Sequence, residues 1–531
     1  MLKKSLGLLL LVAAPFAGSV NADVPKNIVN FAIQQEPPQL DSTKATDQQS
    51  IFVLGHIKEG LVSYGKAGEV IPGVAEKWKV TDKEVVFNLR KNSKWSNGKP
   101  VTAKDFVFAW KKALEPKNAS EYAFFLYPIK NAEAVNKGTA TPDTLGVSTP
   151  DDYTIKIELE KPCAYFVSLT GFPTFLPVNE EFYNEKAGKY GSEAENLIAN
   201  GAFILTKWVH GAALTLDKNP SYWNKAAIAV DRIDIPYVTT DNSALFNFFK
   251  DKKIDVVERL GKEDLAKAQA EKFKMRNYAD GSVWFLEYNF REGKITRNRN
   301  LRKAIQAVFN PEEFVTKVVS IPGTKPARGL IPSWVAGVKD TFRKEFVVPN
   351  KKPDLAAAKK YLEAAKKELG GVIPPLVWLT SDTPLAARES EYFQNLLKST
   401  LGLEIRIDKQ IFKQRLAKMS SGEFDIVSAG WGPDYSDPMT FADLMTTWNE
   451  NNRGKFDSAE YDKLIREAQA TSNQKKRMEA MAAAEKIALE EQAIMPTYER
   501  TVVYLVNDRV QGVVRRAIGP DPDFHFAKLA K

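Results

Sequence analysis

The chain has 531 residues, of which 44% are hydrophobic and 11% aromatic, so it can bury large cores in about two or three domains. Its formal net charge is +9, but 75 Lys and Arg residues are interspersed with 66 Asp and Glu residues along the whole sequence. A nucleic-acid-binding chain concentrates its positive charge in one stripe, so we interpret these charges as a solvated surface and expect no nucleic-acid partner. Cys163 is the one cysteine in the sequence, which excludes an intrachain disulfide.

The N-terminal segment has the pattern of a cleavable secretory signal. Lys3 and Lys4 precede an apolar run from Leu6 to Ala14, and a small-residue end at Ala22 follows it. The run is shorter than the ~18 apolar residues of a membrane-spanning helix. No cysteine lies near the expected cut after Ala22, so we predict no lipid anchor and expect a free periplasmic protein.

The first predicted elements, in chain order, are a strand, a helix and a second strand. Alternating apolar residues predict strands at Val85–Leu89 and at Ile155–Leu159. Between them, Thr102 is placed to cap a helix, because its hydroxyl can accept a backbone N–H bond and Asp105 can return one. The helix face that we expect to be buried carries Phe106, Trp110 and Ala113.

Further elements of both kinds follow towards the C-terminus. A helix is predicted from Asp354 to Leu369, since apolar residues recur there every three or four positions and Gly370 can end it. A strand is predicted at Leu403–Ile407, and Asn473 can cap another helix. The core-facing positions expected on that last helix are Met478, Met481 and Ala488. Strands that alternate with helices in this way predict an α/β or mixed α+β architecture.

Known catalytic motifs are absent from the sequence. It contains no GxSxG elbow, no HExxH, no Walker-type phosphate loop and no dinucleotide fingerprint. The histidines His56, His210 and His525 are scattered without metal-ligand spacing, so each is expected to be structural or exposed. Cys163 has no histidine nearby in the sequence and is expected to be a buried thiol. We therefore predict no enzyme activity, no cofactor and no metal site.

Three blocks of the sequence resemble one family. They are residues 72–114, residues 200–223 with their Asn-Pro-x-Tyr-Trp ending, and residues 424–441, which read FDIVSAGWGPDYSDPMTF. The first block is similar to the signature block of the peptide- and nickel-binding receptors known as family 5 extracellular solute-binding proteins. The third resembles the ligand-binding segment of the oligopeptide-binding branch. Weaker similarity covers nearly all of the chain from residue 23 onward.

The resemblance implies a mixed α/β Venus flytrap, in which two lobes close over a ligand and an extra domain packs alongside. Chain crossings near residues 282–290 and 496–506 would then form the hinge. The implied parts are a signal peptide at 1–22, lobe I at 23–58, 182–281 and 502–531, extra domain II at 59–181, and lobe III at 282–501.

The resemblance also implies a monomeric receptor that captures short peptides and delivers them to the permease subunits of an ABC importer.

A peptide of any sequence offers an ammonium, a backbone and a carboxylate. Asp434 matches the Asp that members of the oligopeptide-binding branch use for the ammonium, and a turn cap is its alternative role. Gly430, Trp431 and Gly432 are expected to expose backbone groups to an extended ligand.

Three aromatic residues fall where the resembling branch places ligand contacts. Because aromatic residues are also common core material, core packing is the alternative for each of them. These residues are Tyr122, Phe285 and Phe412.

The sequence departs from the oligopeptide-binding pattern where the ligand carboxylate would be met. The positions that carry Arg or His in that branch are Pro384, Met419 and Ser428 here. Arg259 and Lys409 are candidate substitutes, because both fall in segments that border the cleft in the resembling fold. A ligand of different length, or one without a free carboxylate, is the alternative explanation.

Two other functions stay open beside the peptide receptor. One is a receptor of the same fold for another solute, such as a modified peptide, an opine-like compound or a metal chelate. The other is a secreted hydrolase, which would need a nucleophile and a base that no motif supplies.

Overall fold

The structure is a computed structural model, and it describes residues 26–163, 165–258, 260–350 and 352–530. Within these residues, no helix combines the length and the apolar character needed to cross a membrane. The predicted signal peptide, residues 1–22, lies outside the described residues and stays a prediction.

The strands of the described chain fall into four sheets. They are β1 (Ile28–Ile33), β2 (Val62–Tyr64), β3 (Val70–Pro72), β4 (Ala75–Val80), β5 (Glu84–Leu89), β6 (Val147–Asp151), β7 (Thr154–Glu158), β8 (Phe203–Val209), β9 (Ala213–Lys218), β10 (Arg232–Val238), β11 (Val256–Glu258), β12 (Arg276–Tyr288), β13 (Lys325–Pro326), β14 (Leu376–Ser381), β15 (Ile405–Gln410), β16 (Ile426–Trp431), β17 (Ile494–Val506), β18 (Val510–Gln511) and β19 (Lys528–Leu529).

Helices alternate with these strands along the chain. They are α1 (Gln48–Ile57), α2 (Ala103–Leu114), α3 (Ala132–Asn136), α4 (Phe166–Leu169), α5 (Glu180–Glu185), α6 (Asn242–Lys250), α7 (Lys262–Ala270), α8 (Arg299–Ala307), α9 (Pro311–Glu313), α10 (Phe342–Glu345), α11 (Leu355–Glu368), α12 (Pro384–Leu401), α13 (Phe412–Ser421), α14 (Met439–Ala442), α15 (Ala459–Gln469) and α16 (Gln474–Glu490). The prediction of a mixed α/β architecture is confirmed.

Two long strands run through the middle of the largest sheet. Its order is β15-β14-β16-β12-β17-β11-β1-β10-β9-β8, with β13 also paired to β17. The antiparallel β12–β17 ladder is interrupted between Ala279 and Val283, where Gly281 has a φ of +79°. The predicted crossings near 282–290 and 496–506 fall largely on these strands. The domain boundaries themselves stay a prediction.

A separate four-stranded sheet, in the order β4-β5-β7-β6, packs with α2. Its predicted strands are present, and Val85, Phe87, Ile155 and Ile157 are fully buried. At the start of α2, the Asp105 carboxylate accepts the backbone N–H of Thr102 at 2.7 Å, so the predicted capping box forms. The predicted core face of α2 is buried at Phe106, Trp110 and Ala113.

The two helices predicted towards the C-terminus are present, and the strand predicted at Leu403–Ile407 is found as β15, which begins at Ile405. Asp354 caps α11 by accepting the Ala357 N–H at 2.9 Å, and Gly370 follows the helix with a φ of +82°. Asn473 caps α16 by accepting the Lys476 N–H at 3.0 Å. The residues of α16 predicted to face the core are buried, namely Met478, Met481 and Ala488.

Candidate functional site

A cavity of about 300 Å³ lies among the central strands of the large sheet and three helices. Residues of β12, β14, β16 and β17 line it, together with residues of α1, α12 and α13. Gln48 comes from the range predicted for lobe I, Trp284 from that for lobe III, and Tyr122 from that for the extra domain. The cavity is therefore bounded by all three predicted parts of the chain.

One edge of β16 is open towards this cavity. The parallel pairing of β14 with β16 extends only from Trp378 and Ile426 to Leu379 and Val427. Residues 428–431 stay paired to β12 on their other side, but within the described chain no strand pairs with this edge. Because residues 428–431 all line the cavity, an extended ligand can add there as an extra strand.

The predicted Gly-Trp-Gly segment ends this open edge. Trp431 lies over Tyr122, with ring centroids 6.2 Å apart, and its Nε1 donates to the Thr440 carbonyl at 2.8 Å. A Cβ on Gly430 would lie 2.6 Å from the Trp284 ring, so the cross-strand tryptophan requires glycine there. Near Gly432, a Cβ would meet Gln48 Nε2 at 3.5 Å, an ordinary contact.

Asp434 follows this segment and is 6% exposed. The Tyr122 hydroxyl donates to both carboxylate oxygens of Asp434, at 3.3 and 3.4 Å, and no Lys, Arg or His of the described residues forms an ion pair with it. Burial, and next the charge of Asp443, hold the pKa of the Asp434 carboxyl well above its usual range. Such a group in the cavity wall can be stabilised by a cationic ligand group.

The loop that carries Asp434 is anchored by contacts with other parts of the chain. Asp437 accepts two hydrogen bonds from the buried guanidinium of Arg477 on α16, at 2.7 and 2.9 Å. The Tyr435 ring stacks on Tyr165 at 5.2 Å. These contacts on Asp437 and Tyr435 hold the loop on which Asp434 lies.

The remaining predicted site residues are distributed as follows. Tyr122, Phe285 and Phe412 all line the cavity. Lys409 lies on the outer strand β15, is exposed, and is not part of the cavity wall. Arg259 lies outside the described residues.

Two arginines in the cavity wall, Arg388 and Arg415, were missed by the sequence analysis. Arg388 lies one helical turn after Pro384 on α12, and Arg415 one turn before Met419 on α13. Residues four apart share a helix face, so this spacing was the signal that could have identified them. Burial first, and then the charge of Arg453, lower the pKa of Arg415 to about 10.

His56 and His525 are far apart in the sequence but lie together in the structure. Packing of the C-terminal tail against α1 brings both to Asp523, with potential ligand atoms within 4.8 Å of one another. All three side chains have protein partners: Asp523 accepts from Arg516 and His525, and His56 Nε2 accepts the Phe524 N–H at 3.1 Å. Burial lowers the pKa of His56 to about 3. The cluster is therefore a structural network.

Residues 69–453 match the model of the bacterial extracellular solute-binding proteins, family 5 Middle. The chain belongs to this family. It is 32% identical over 506 residues to the oligopeptide-binding protein OppA of Bacillus subtilis, a match that covers 93% of this chain and 91% of OppA.

Solved structures share the fold of this family 5 protein. The substrate-binding domain of an oligopeptide ABC transporter from Bacillus anthracis superimposes with a TM-score of 0.90 at 36% identity, covering 95% of this chain and 99% of that one. Listeria monocytogenes OppA bound to peptide superimposes with a TM-score of 0.89 at 32% identity and the same coverage. The predicted flytrap architecture is confirmed.

The arrangement of the lobes differs from an open form. One structure of the Escherichia coli murein tripeptide-binding protein MppA superimposes with a TM-score of 0.88, at 29% identity and with coverage of 95% of this chain and 99% of that one. The unliganded open form of the same protein reaches 0.63, with coverage of 95% and 98%. The family 5 chain described here is thus not in that open arrangement.

Proposed function

We propose that this family 5 protein is a receptor that captures short peptides between its lobes and hands them to the permease subunits of an ABC importer. The open edge of β16 offers backbone groups to an extended chain, and Asp434 offers a buried carboxyl group at its end. These two features fit the ammonium and the backbone, the handles that every unmodified peptide carries. The relatives named above are oligopeptide- or murein-tripeptide-binding proteins, which supports the same ligand class.

The observation that carries the proposal is the unpaired state of Asp434. Four other charged groups of the cavity wall form ion pairs within the protein. The pairs are Arg453 with Glu121, Arg500 with Asp280, Arg516 with Asp523, and Asp521 with Arg515. Asp434 has only the Tyr122 hydroxyl as a side-chain donor in the described chain. A buried carboxylate is costly when it lacks a cation, so a ligand ammonium placed there gains a charge-assisted hydrogen bond.

The alternative functions explain fewer features of the cavity wall than a peptide receptor does. An opine-like compound or a metal chelate has no extended backbone to pair with residues 428–431. A hydrolase would need a nucleophile with a base beside it, but the serines and threonines of the cavity wall have no histidine among the described residues that line it. Cys163 is not among those residues either, and burial raises its pKa to about 12. Because the family is one of extracellular solute-binding proteins, the N-terminal signal pattern further supports a location in the periplasm.

Native mass spectrometry of the protein purified from the organism that makes it tests this function. We expect adducts that correspond to a mixture of short peptides, which are released and sequenced after denaturation. The Asp434→Asn variant, purified in the same way, should carry fewer of them. Adducts of one non-peptide solute in both proteins would contradict the peptide assignment.

A further inference from the structure

Two guanidinium groups in the cavity wall have no carboxylate partner in the described chain. Arg388 forms no hydrogen bond or ion pair with any described residue, although it lies beside Glu389. Arg415 makes one hydrogen bond, from Nη2 to the Ser428 carbonyl, and its Nε has no partner in the described structure. Both residues therefore line the cavity and keep donors that no described residue accepts.

Arg415 is the more confined of the two, since it is 8% exposed. Two acids, Glu389 and Glu287, lie close enough to interact with it, but each is committed elsewhere. Glu389 accepts the Tyr498 hydroxyl at 2.8 Å, and Glu287 accepts the backbone N–H of Gly454. Burial raises the pKa of both carboxyls to about 7. The charge of Arg415 is thus incompletely balanced in the cavity wall.

The position of Arg415 relative to β16 gives the site a direction. Arg415 bonds to Ser428, the first residue of the open edge, whereas Asp434 lies beyond Trp431, its last residue. The edge has three residue steps, which is ~10 Å at about 3.3 Å per residue. A ligand with its ammonium at Asp434 and its carboxylate at Arg415 would run antiparallel to β16.

We propose that Arg415, assisted by Arg388, binds the C-terminal carboxylate of the captured peptide, and so selects free-acid peptides of about three to five residues. A guanidinium suits this role because its planar donors match a carboxylate in two parallel hydrogen bonds. The inference rests on the proposed peptide-binding function.

Calorimetry with tetra-alanine and tetra-alanine amide tests the inference. The wild type should bind the amide at least about tenfold more weakly, the loss expected when a charged hydrogen-bond partner is removed. Arg415→Met should weaken binding of the free acid and remove this difference, and Arg388→Met should reduce it. Lys413→Met is the matched control, because Lys413 is exposed on the same helix and lies outside the cavity wall; it should keep the full difference.

The other outcomes separate this inference from the proposed function. If Arg415→Met fails to fold, Arg415→Lys and Arg388→Met provide the test, since each should discriminate less than the wild type. Equal binding of both peptides by the wild type, or full discrimination by the arginine variants, would overturn the inference and leave peptide binding standing. If neither tetra-alanine nor a mixed set of di- to octapeptides binds, the proposed function itself fails.

Discussion

Replacing Asp434 with Asn is expected to leave the fold intact and to weaken peptide binding by about 2 to 5 kcal/mol, the range for truncating one partner of a buried charge pair. Asn keeps the size of the side chain and can still accept the Tyr122 hydroxyl, but it removes the negative charge that the ligand ammonium needs. Calorimetry measures the loss. Asp457→Asn is the matched control, because Asp457 is exposed and lies outside the cavity wall, and it should not alter binding.

A double-mutant cycle shows whether Asp434 acts on the ammonium itself. N-acetylating the peptide should cost the wild type an amount similar to that of the Asn substitution. The two changes together should cost less than their sum, since each removes one half of the same interaction. Simple addition of the two losses would show that Asp434 does not hold the ammonium, and the proposed direction of the ligand would fail with it.

Replacing Arg477 with Met is expected to lower the free energy of unfolding by about 3 to 5 kcal/mol. The substitution leaves the carboxylate of Asp437 nearly buried without its two hydrogen bonds, and an uncompensated charge in such a position is strongly destabilising. Chemical denaturation measures the change. Lys475→Met on the same helix provides the control, since its partner Glu479 is also exposed and the pair should contribute little.

The Arg477 variant also tests how the binding loop is held. Because Asp437 lies three residues after Asp434, loss of the Arg477 pair should weaken peptide binding in the fraction of protein that stays folded. Adding Asp437→Asn to Arg477→Met should cost less than the two single losses combined. An unchanged denaturation midpoint for Arg477→Met would show that the pair does not stabilise the loop.

Local elements of the fold could be predicted because their determinants lie within a few residues. The capping box at Thr102 and Asp105 sets the start of α2, and the alternation from Val85 to Leu89 sets one buried strand face. The residues around Asp434 were predicted to bind ligand because they form a motif. In the structure, the Tyr122 hydroxyl donates to the carboxylate of Asp434.

Features that depend on contacts between residues far apart in the chain could not be predicted from the sequence. Position 430 requires glycine because the ring of Trp284 lies against it. Trp284 is opposite Gly430 only because of the register between β12 and β16. His56 and His525 meet because the tail folds back on α1. The spacing of Arg415 from Met419 indicates a shared helix face, but it does not reveal that Arg415 bonds to the carbonyl of Ser428 on a separate strand.

Small-angle scattering, with and without saturating tetra-alanine, tests most directly the claim that this family 5 protein captures peptides by closing its lobes. The cavity is bounded by both predicted lobes and Asp434 is buried, so ligand should shift the population from an open to a closed form. We predict a smaller radius of gyration in the complex, and no such change with N-acetylated tetra-alanine amide at the same concentration. Identical scattering curves with and without tetra-alanine, at a concentration where calorimetry shows saturation, would contradict capture by closure.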